Sequence, residues 1–263
     1  MKISFLGGGH ITTALLAGLR DSGDLRRIAV HDRNPHKLRR LQRDFDAVPE
    51  PDLRSAVSSS DALIIAVPPA AVPDLLAMIG RAERTTVCIS LAAGLPLRQL
   101  RRTLGPAAHW ARAMPSPVCR GGRGLTALAY DRAISARERS FVHRLFARVG
   151  AVIVLPERQF DIFSATYSPS QGYYAMETLA SAARKLGLDK KVARMAAAHA
   201  LADAIQEWRG TGASLESLVH EAATPGGIAA TVMAAKDRSG YKKNVERSLR
   251  AGMERARQMR GKG

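Results

Sequence analysis

Short apolar runs alternate with amphipathic stretches through the first part of the chain, and the alternation stops after Pro156. Lys2–Leu6 (KISFL), Ala62–Val67 (ALIIAV) and Thr86–Leu91 are nearly continuous apolar runs of strand length, bounded by Gly, Pro or Ser. That pattern predicts strands covered on both faces. Arg27–His31, His109–Ala113, Leu125–Tyr130 and Ala151–Leu155 read as further strands. Between them, His10–Arg20 repeats Ile11, Leu15, Leu16 and Leu19 at helical spacing, and Pro35–Phe45 and Ala136–Val149 also read as helices. Strands alternating with helices predict a parallel sheet. After Pro156 only helical periodicity remains, over Asp161–Leu186, Lys190–Arg209, Leu215–His220, Ile228–Lys236 and Lys242–Met259, with a frayed tail at Arg260–Gly263. The expectation is therefore two domains: an α/β domain over 1–156 and an all-helical domain over 157–263, divided near Pro156–Phe160.

The helical part is too small to bury its own apolar surface. Val192–Ile205 carries apolar residues on more than one face, and a helix that is apolar all round must be covered. This predicts intertwined dimerisation through these helices, in a homodimer or a higher homo-oligomer.

The α/β part carries a candidate ligand site at its start. A buried strand leads into Gly7-x-Gly9-x-x-Thr12, and an amphipathic helix leaves it. In a Rossmann-type dinucleotide-binding domain the first glycine permits the tight turn. The second lets a pyrophosphate approach the backbone, where the helix N-terminus offers free N–H groups. The cofactor is read as NADPH or NADH, held at Gly7, Gly9, His10 and Ile11. Asp32 closes the second strand, where an acid holds ribose hydroxyls; Arg33 follows it and can pair with a 2′-phosphate. Val67, Pro68 and Ala92 follow later strands and flank the cofactor, because ligands sit at the carboxyl ends of the strands.

Charge changes this picture little. The chain has 263 residues with 40 basic against 23 acidic, a net +17, yet the arginines are dispersed without aromatic interleaving. They read as a solvated surface that attracts anions, with nucleic acid not expected as a partner. Two cysteines, Cys88 and Cys119, show no CxxC spacing, so neither a disulfide framework nor a metal site is predicted. No signal peptide and no apolar stretch of membrane-spanning length is visible, which together with the cysteines predicts a cytoplasmic protein. His109, His143 and His199 read as packing or surface histidines. Trp110 and Trp208 read as core or interface, and Tyr173-Tyr174 as helix packing.

With these residues in view the chain resembles the pyrroline-5-carboxylate reductase family over nearly its whole length. Phe5–Ile11 is similar to F-I-G-x-G-N-M, with His10 in place of asparagine. Ile89–Gly94 resembles I-S-x-A-A-G, and Arg112–Pro115 resembles R-x-M-P. Glu177 begins a stretch ending in Leu186-Gly187-Leu188, as in the family, and Ala223–Gly227 is similar to the start of T-S-P-G-G-T-T. The resemblance implies hydride transfer to the C=N carbon of 1-pyrroline-5-carboxylate, giving proline, in a pocket built between domains of partner subunits. It implies that the substrate carboxylate is held at Pro225, Gly226 and Gly227, with Glu177 also in the substrate site. A Pro-Gly-Gly turn at a helix start suits an anion on physical grounds as well.

The departures cluster at the substrate side. Ser116-Pro117 follows Met114-Pro115 where the family has N-T-P, and Pro68 stands where it has lysine. The S-G-S-G-P-A-Y loop is recognisable only as Ala165–Gln171. The last hydroxyl of T-S-P-G-G-T-T falls on Ala229, and an acid is missing near Thr211–Ala213. Thr224, Ser168 or Tyr167, or a water, is left to supply the proton. A retuned site for another imine or a 2-oxo acid, and a dinucleotide-binding protein without turnover, stand as the alternatives.

Overall fold

The apolar runs form one eight-stranded sheet in the computed structural model, which describes residues 1–23 and 28–259. The strands are β1 (Ile3–Leu6), β2 (Ile28–His31), β3 (Val48–Pro49), β4 (Ala62–Ile65), β5 (Thr86–Ser90), β6 (Ala108–Met114), β7 (Gly124–Tyr130) and β8 (Gly150–Val154). Their order is β3-β2-β1-β4-β5-β6-β7-β8. Neighbours are parallel throughout except β6 against β7. The connecting helices are α1 (His10–Asp21), α2 (Pro35–Phe45), α3 (Leu53–Ser58), α4 (Val72–Ile79), α5 (Leu97–Leu100) and α6 (Ala136–Ala147).

The strands read as continuous apolar runs because consecutive residues feed two cores. Phe5, Ile64, Ile89 and Ala111 pack on one face with Leu16 and Phe146, while Leu6, Ile65, Cys88 and Trp110 pack on the other with Leu76 and Phe160. Side chains alternate across a strand, so a two-sided sheet tolerates no polar alternation. Polar residues do their work at element ends. Asn34 caps α2 by accepting from the His36 N–H at 2.9 Å, and Ser135 and Glu138 form a capping box on α6.

Several elements differ from the sequence reading. The strand expected over Ala62–Val67 ends at Ile65, which leaves Val67 and Pro68 in the loop that follows. Strand β2 is described from Ile28, so the expected start at Arg27 lies outside the described residues, as does the expected frayed tail Arg260–Gly263. The short elements β3, α3, α4 and α5 were invisible to periodicity, which needs a longer window than they offer. The helix expected over Asp161–Leu186 is two helices, α7 (Phe160–Thr166) and α8 (Pro169–Lys185). Pro169 has no N–H and drives Ser168 into an extended conformation, so α8 restarts at the proline with Ser168 as its cap.

The chain divides into two compact units, Met1–Tyr167 with Gly252–Gly263, and Ser168–Ala251. This boundary differs from the break in pattern near Pro156–Phe160. Phe160 is fully buried in the second core of the sheet, so α7 belongs with the strands although it reads as part of the helical stretch. The second unit holds α8, α9 (Lys190–Thr211), α10 (Leu215–Glu221), α11 (Ile228–Arg238) and the first part of α12 (Tyr241–Gln258). Within it α8 packs along α9, and its buried residues are the small Ala180, Ala193 and Ala197. Tyr173 and Tyr174 are 70% and 74% exposed, and Val192, Met195, Ile205 and Trp208 are exposed as well. The expected packing of Tyr173 and Tyr174 is thus not supplied by this chain. No helix among the described residues is long and apolar enough to cross a membrane.

Candidate active site

The chain leaves β1 through Gly7, Gly8 and Gly9, and each glycine does a different job. Gly7 sits at φ +114°, and a Cβ there would lie 2.6 Å from the Ala66 carbonyl oxygen. The turn therefore presses against the end of β4, and only glycine fits. The Gly7 N–H donates to the His31 carbonyl at 2.8 Å, and Thr12 Oγ1 donates back to the Gly7 carbonyl at 2.5 Å. The buried Thr12 thus locks the turn from inside the helix, which explains why threonine serves in the third small position. Gly9 caps α1 with no side chain over the first turn, and a Cβ on it would meet nothing within 4 Å. The head of α1 is consequently an open cradle of backbone N–H groups at the positive end of a helix. His10 is exposed at the first helical position, while the side chain of Ile11 packs on the core and only its N–H serves the cradle.

Asp32 is committed to this turn. Its Oδ2 accepts from the Gly8 N–H at 2.8 Å and from Lys37 Nζ at 3.2 Å, and its Oδ1 accepts from the Asn34 N–H at 2.9 Å. Burial pushes its carboxyl up, but the bonds from Asn34, Gly8 and Lys37 outweigh that and hold it below the ordinary carboxylate range. Gly7, Asp32, exposed Arg33, Lys37, Val67 and Pro68 line one cleft of 360 Å³. The sequence signal for Lys37 is only its place in the first turn of α2, five residues past Asp32. A roomier cleft of 580 Å³ between α3 and α4 is lined by none of the residues assigned to the cofactor or substrate; of the candidate reactive residues named above it holds only Cys88.

Further along the carboxyl edge, Ala92 is buried in the loop after β5, where its N–H is met by Ser90 Oγ at 3.3 Å. The end of that loop is held by Glu157, whose Oε1 accepts from the Leu97 N–H at 2.5 Å and from Arg112 Nη1 at 3.2 Å. Arg112 is buried with its guanidinium 4.6 Å from the Phe160 ring centroid. The arginine of the R-x-M-P segment is thus a brace for this loop.

The hydroxyls weighed as proton donors are placed differently. Tyr167 belongs to the N-terminal unit, where its hydroxyl accepts from the Leu125 N–H at 2.8 Å. Ser168 begins the helical unit, capping α8 and facing Ser170 Oγ at 2.7 Å. Thr224, Pro225, Gly226 and Gly227 form one turn in the helical unit. There the Gly227 N–H donates to the Thr224 carbonyl at 2.9 Å, and Gly226 takes φ +76°. Gly227 caps α11 without a side-chain bond, so α11, like α1, opens on bare N–H groups. Its first turn carries Ile228 and Ala229, with no hydroxyl until Thr231, which donates to the Gly227 carbonyl at 3.0 Å. Glu177 is exposed on α8, beside a cleft that Arg184 and Arg194 also line.

Other reactive groups are engaged or buried. Burial pushes the Cys88 thiol up to about 12 and the Cys119 thiol up to about 11, so neither is a ready nucleophile. His109 Nδ1 lies 2.8 Å from Glu138 Oε1 in the α6 capping box, and His199 lies 3.2 Å from Asp203 one helical turn on. Both histidines have acid partners, which the sequence spacing had not suggested. Trp110 is fully buried, whereas Trp208 is 44% exposed. Among the described residues no three His, Cys, Asp or Glu side chains are grouped to hold a metal.

Comparison with known proteins matches both parts of the chain. Residues 2–94 match the family described as NADP oxidoreductase coenzyme F420-dependent, and residues 157–259 match that described as pyrroline-5-carboxylate reductase dimerisation. The pyrroline-5-carboxylate reductase of Thermus thermophilus is 31% identical over 263 residues, covering 97% of this chain and 98% of that one. The enzyme of that name from Mycobacterium tuberculosis is 28% identical over 286 residues, with 98% and 97% covered. Among solved structures, a pyrroline-5-carboxylate reductase from Coxiella burnetii superposes with a TM-score of 0.88 at 25% identity, covering 99% of this chain and 98% of that one. The Plasmodium falciparum pyrroline carboxylate reductase with NADP bound shares the fold, with a TM-score of 0.87 at 19% identity and the same coverage. End-to-end likeness at this level, on a sheet whose first turn is built around bare main-chain amides, places the chain in the pyrroline-5-carboxylate reductase family.

Proposed function

We propose that this chain reduces 1-pyrroline-5-carboxylate to proline at the expense of NADPH or NADH. The observation that carries the reading is the open cradle at Gly9, set at the head of α1 in a chain that matches reductases of this name from end to end. Backbone N–H groups at Gly9, His10 and Ile11 hold the pyrophosphate. Asp32 shapes the turn and Arg33 faces the adenosine ribose, while Val67, Pro68 and Ala92 flank the rest of the cofactor. When bound, the reduced nicotinamide supplies the hydride that the C=N carbon accepts.

The substrate carboxylate is assigned to the turn Pro225-Gly226-Gly227 and the first N–H groups of α11, with Glu177 toward the same substrate. Of the three hydroxyls, Thr224 is given the proton-donor role because it lies in that turn, whereas Ser168 caps a helix and Tyr167 is tied to β7. The apolar faces of α8 and α9 are assigned to a homodimer made through the helical unit. Purified protein should consume NADPH or NADH when 1-pyrroline-5-carboxylate is added, and absence of consumption with both cofactors overturns the assignment.

A second reading has its own observation. The hydroxyl-free start of α11 at Ile228 and Ala229 favours a substrate whose imine nitrogen needs no donor from that helix. A panel of cyclic imines, compared by kcat/KM, separates this from the first reading.

A further inference from the structure

The loop after β5 lies on the cofactor side of the sheet, and its middle is pinned by the far end of the chain. Gly94 takes φ +78°, and a Cβ there would lie 2.1 Å from the Ala256 carbonyl oxygen and 3.6 Å from Met259 Cβ. This is main chain against main chain, with Gly94 and Ala256 both buried. One turn earlier, Gly252 of α12 meets Ala165 of α7, where an added Cβ would be 3.2 Å from Ala165 Cβ. The closing turns of α12 therefore seat in the N-terminal unit through two glycine contacts, and residues from 252 onward divide with that unit.

The position of this loop gives the contact a consequence. Strand order runs β2-β1-β4-β5-β6, and neighbouring strands are about 4.8 Å apart. A dinucleotide with its ribose near Asp32, just past the end of β2, and its pyrophosphate on the turn after β1 extends past β4 toward the loop after β5. That loop is fixed at its start by the Leu91 N–H on the Ile65 carbonyl at 3.0 Å and at its end by Glu157 on the Leu97 N–H. Between these points the backbone contact of Gly94 with Ala256 sets how far Ala92 and Ala93 stand from the cleft.

We infer that the last turn of α12, through Ala256, positions the Ala92–Gly94 loop against the nicotinamide half of the cofactor, so that Gly94 and Ala256 are positioning residues for hydride transfer. The inference rests on the dinucleotide reading of the Gly9 cradle. It assigns the two halves of the cofactor to different supports: the adenosine half depends on β1 and β2, and the nicotinamide half depends on the C-terminal helix.

The test compares the full chain with Gly94→Ala and with a chain ending at Arg255, which lacks Ala256 and Met259. Three quantities are read: affinity for 2′,5′-ADP, amide hydrogen exchange across Leu91–Leu95, and steady-state turnover with cofactor deuterated at the transferred position. Both variants are expected to bind 2′,5′-ADP within about twofold of the parent, since those contacts are remote. Exchange in Leu91–Leu95 should quicken at least tenfold, and kcat should fall at least tenfold with a larger deuterium effect. Unchanged kcat and exchange in both variants overturn the inference. So does a loss of 2′,5′-ADP affinity as large as the loss of kcat, and so does failure of both variants to fold, because each makes the contact one of general stability. If Gly94→Ala alone fails to fold, the shortened chain carries the decision. A parent protein that binds none of 2′,5′-ADP, NADPH and NADH instead removes the dinucleotide reading itself.

Discussion

Gly7 and Gly9 stand two residues apart, yet substitution should separate them cleanly. Gly9→Val places its side chain in open space, so the fold should keep its melting temperature while NADPH affinity falls at least about a hundredfold, the expected result of filling a backbone cradle. Gly7→Ala forces a Cβ to 2.6 Å from a carbonyl at φ +114° and should cost on the order of 2 kcal/mol in urea unfolding before binding is considered. Asp32 offers a pH test. Its carboxyl lies below its ordinary 3.8 in the folded state, so its contribution to stability is fully present above 3.8 and is lost as pH falls through the lower folded value. Asp32→Asn should therefore destabilise by about 1–2 kcal/mol at pH 6, and the deficit should shrink toward pH 3 in denaturant titrations. At this scale the sequence placed Gly7, Gly9 and Thr12 by their spacing. Of the partners of Asp32, Asn34 and Lys37 lie close by in sequence, but Gly8 was not legible, because its N–H reaches Asp32 only after β2 pairs with β1.

At the scale of elements the proposed site is drawn at helix starts. Both α1 and α11 begin on a glycine with no side chain over the first turn, whereas α2, α6 and α8 are closed by Asn34, Ser135 and Ser168. An uncapped start leaves N–H groups for a ligand at the positive end of the dipole. The same logic makes α11 a place to test proton delivery. Ala229→Thr puts a hydroxyl on its exposed first turn and should raise kcat with 1-pyrroline-5-carboxylate about tenfold if proton delivery limits turnover. No change in kcat assigns the proton to Thr224 or another source. The break between α7 and α8 was within reach of the sequence, since Pro169 announces it. The short α3 and α5 were not, since each spans fewer than two turns and is held by the sheet.

The helical unit buries only alanines of its own in α8 and α9 and leaves aromatic and branched side chains in solvent. Such a surface cannot be stable alone, and the dimerisation family match over residues 157–259 agrees with that account. Ile205 is 50% exposed on α9, so Ile205→Glu should cost the folded helices little while halving the mass seen by light scattering. An unchanged mass would place the contact on another face. The chain carries a net +17, and among the described residues every lysine and arginine but the buried Arg112 is at least partly exposed, several paired locally, such as Arg250 with Glu246 and Lys242 with Asp237. Exposed pairs of this kind contribute little to stability and leave a diffuse positive field, suited to drawing in anionic cofactors.

Local pattern alone determined the alternation of strands and helices, the two-sided burial of the sheet, the glycine turn that opens the chain, and the need of the helical part for a partner. Each follows from periodicity and backbone freedom over a few residues, which is information a sequence carries directly. Tertiary structure decided what depends on residues distant in the chain. It assigned α7 to the sheet through Phe160, joined Asp32 to Gly8, braced Leu97 with Glu157, and brought Ala256 onto Gly94. Those contacts have no local signature, because they arise only when the strand order sets which loops become neighbours.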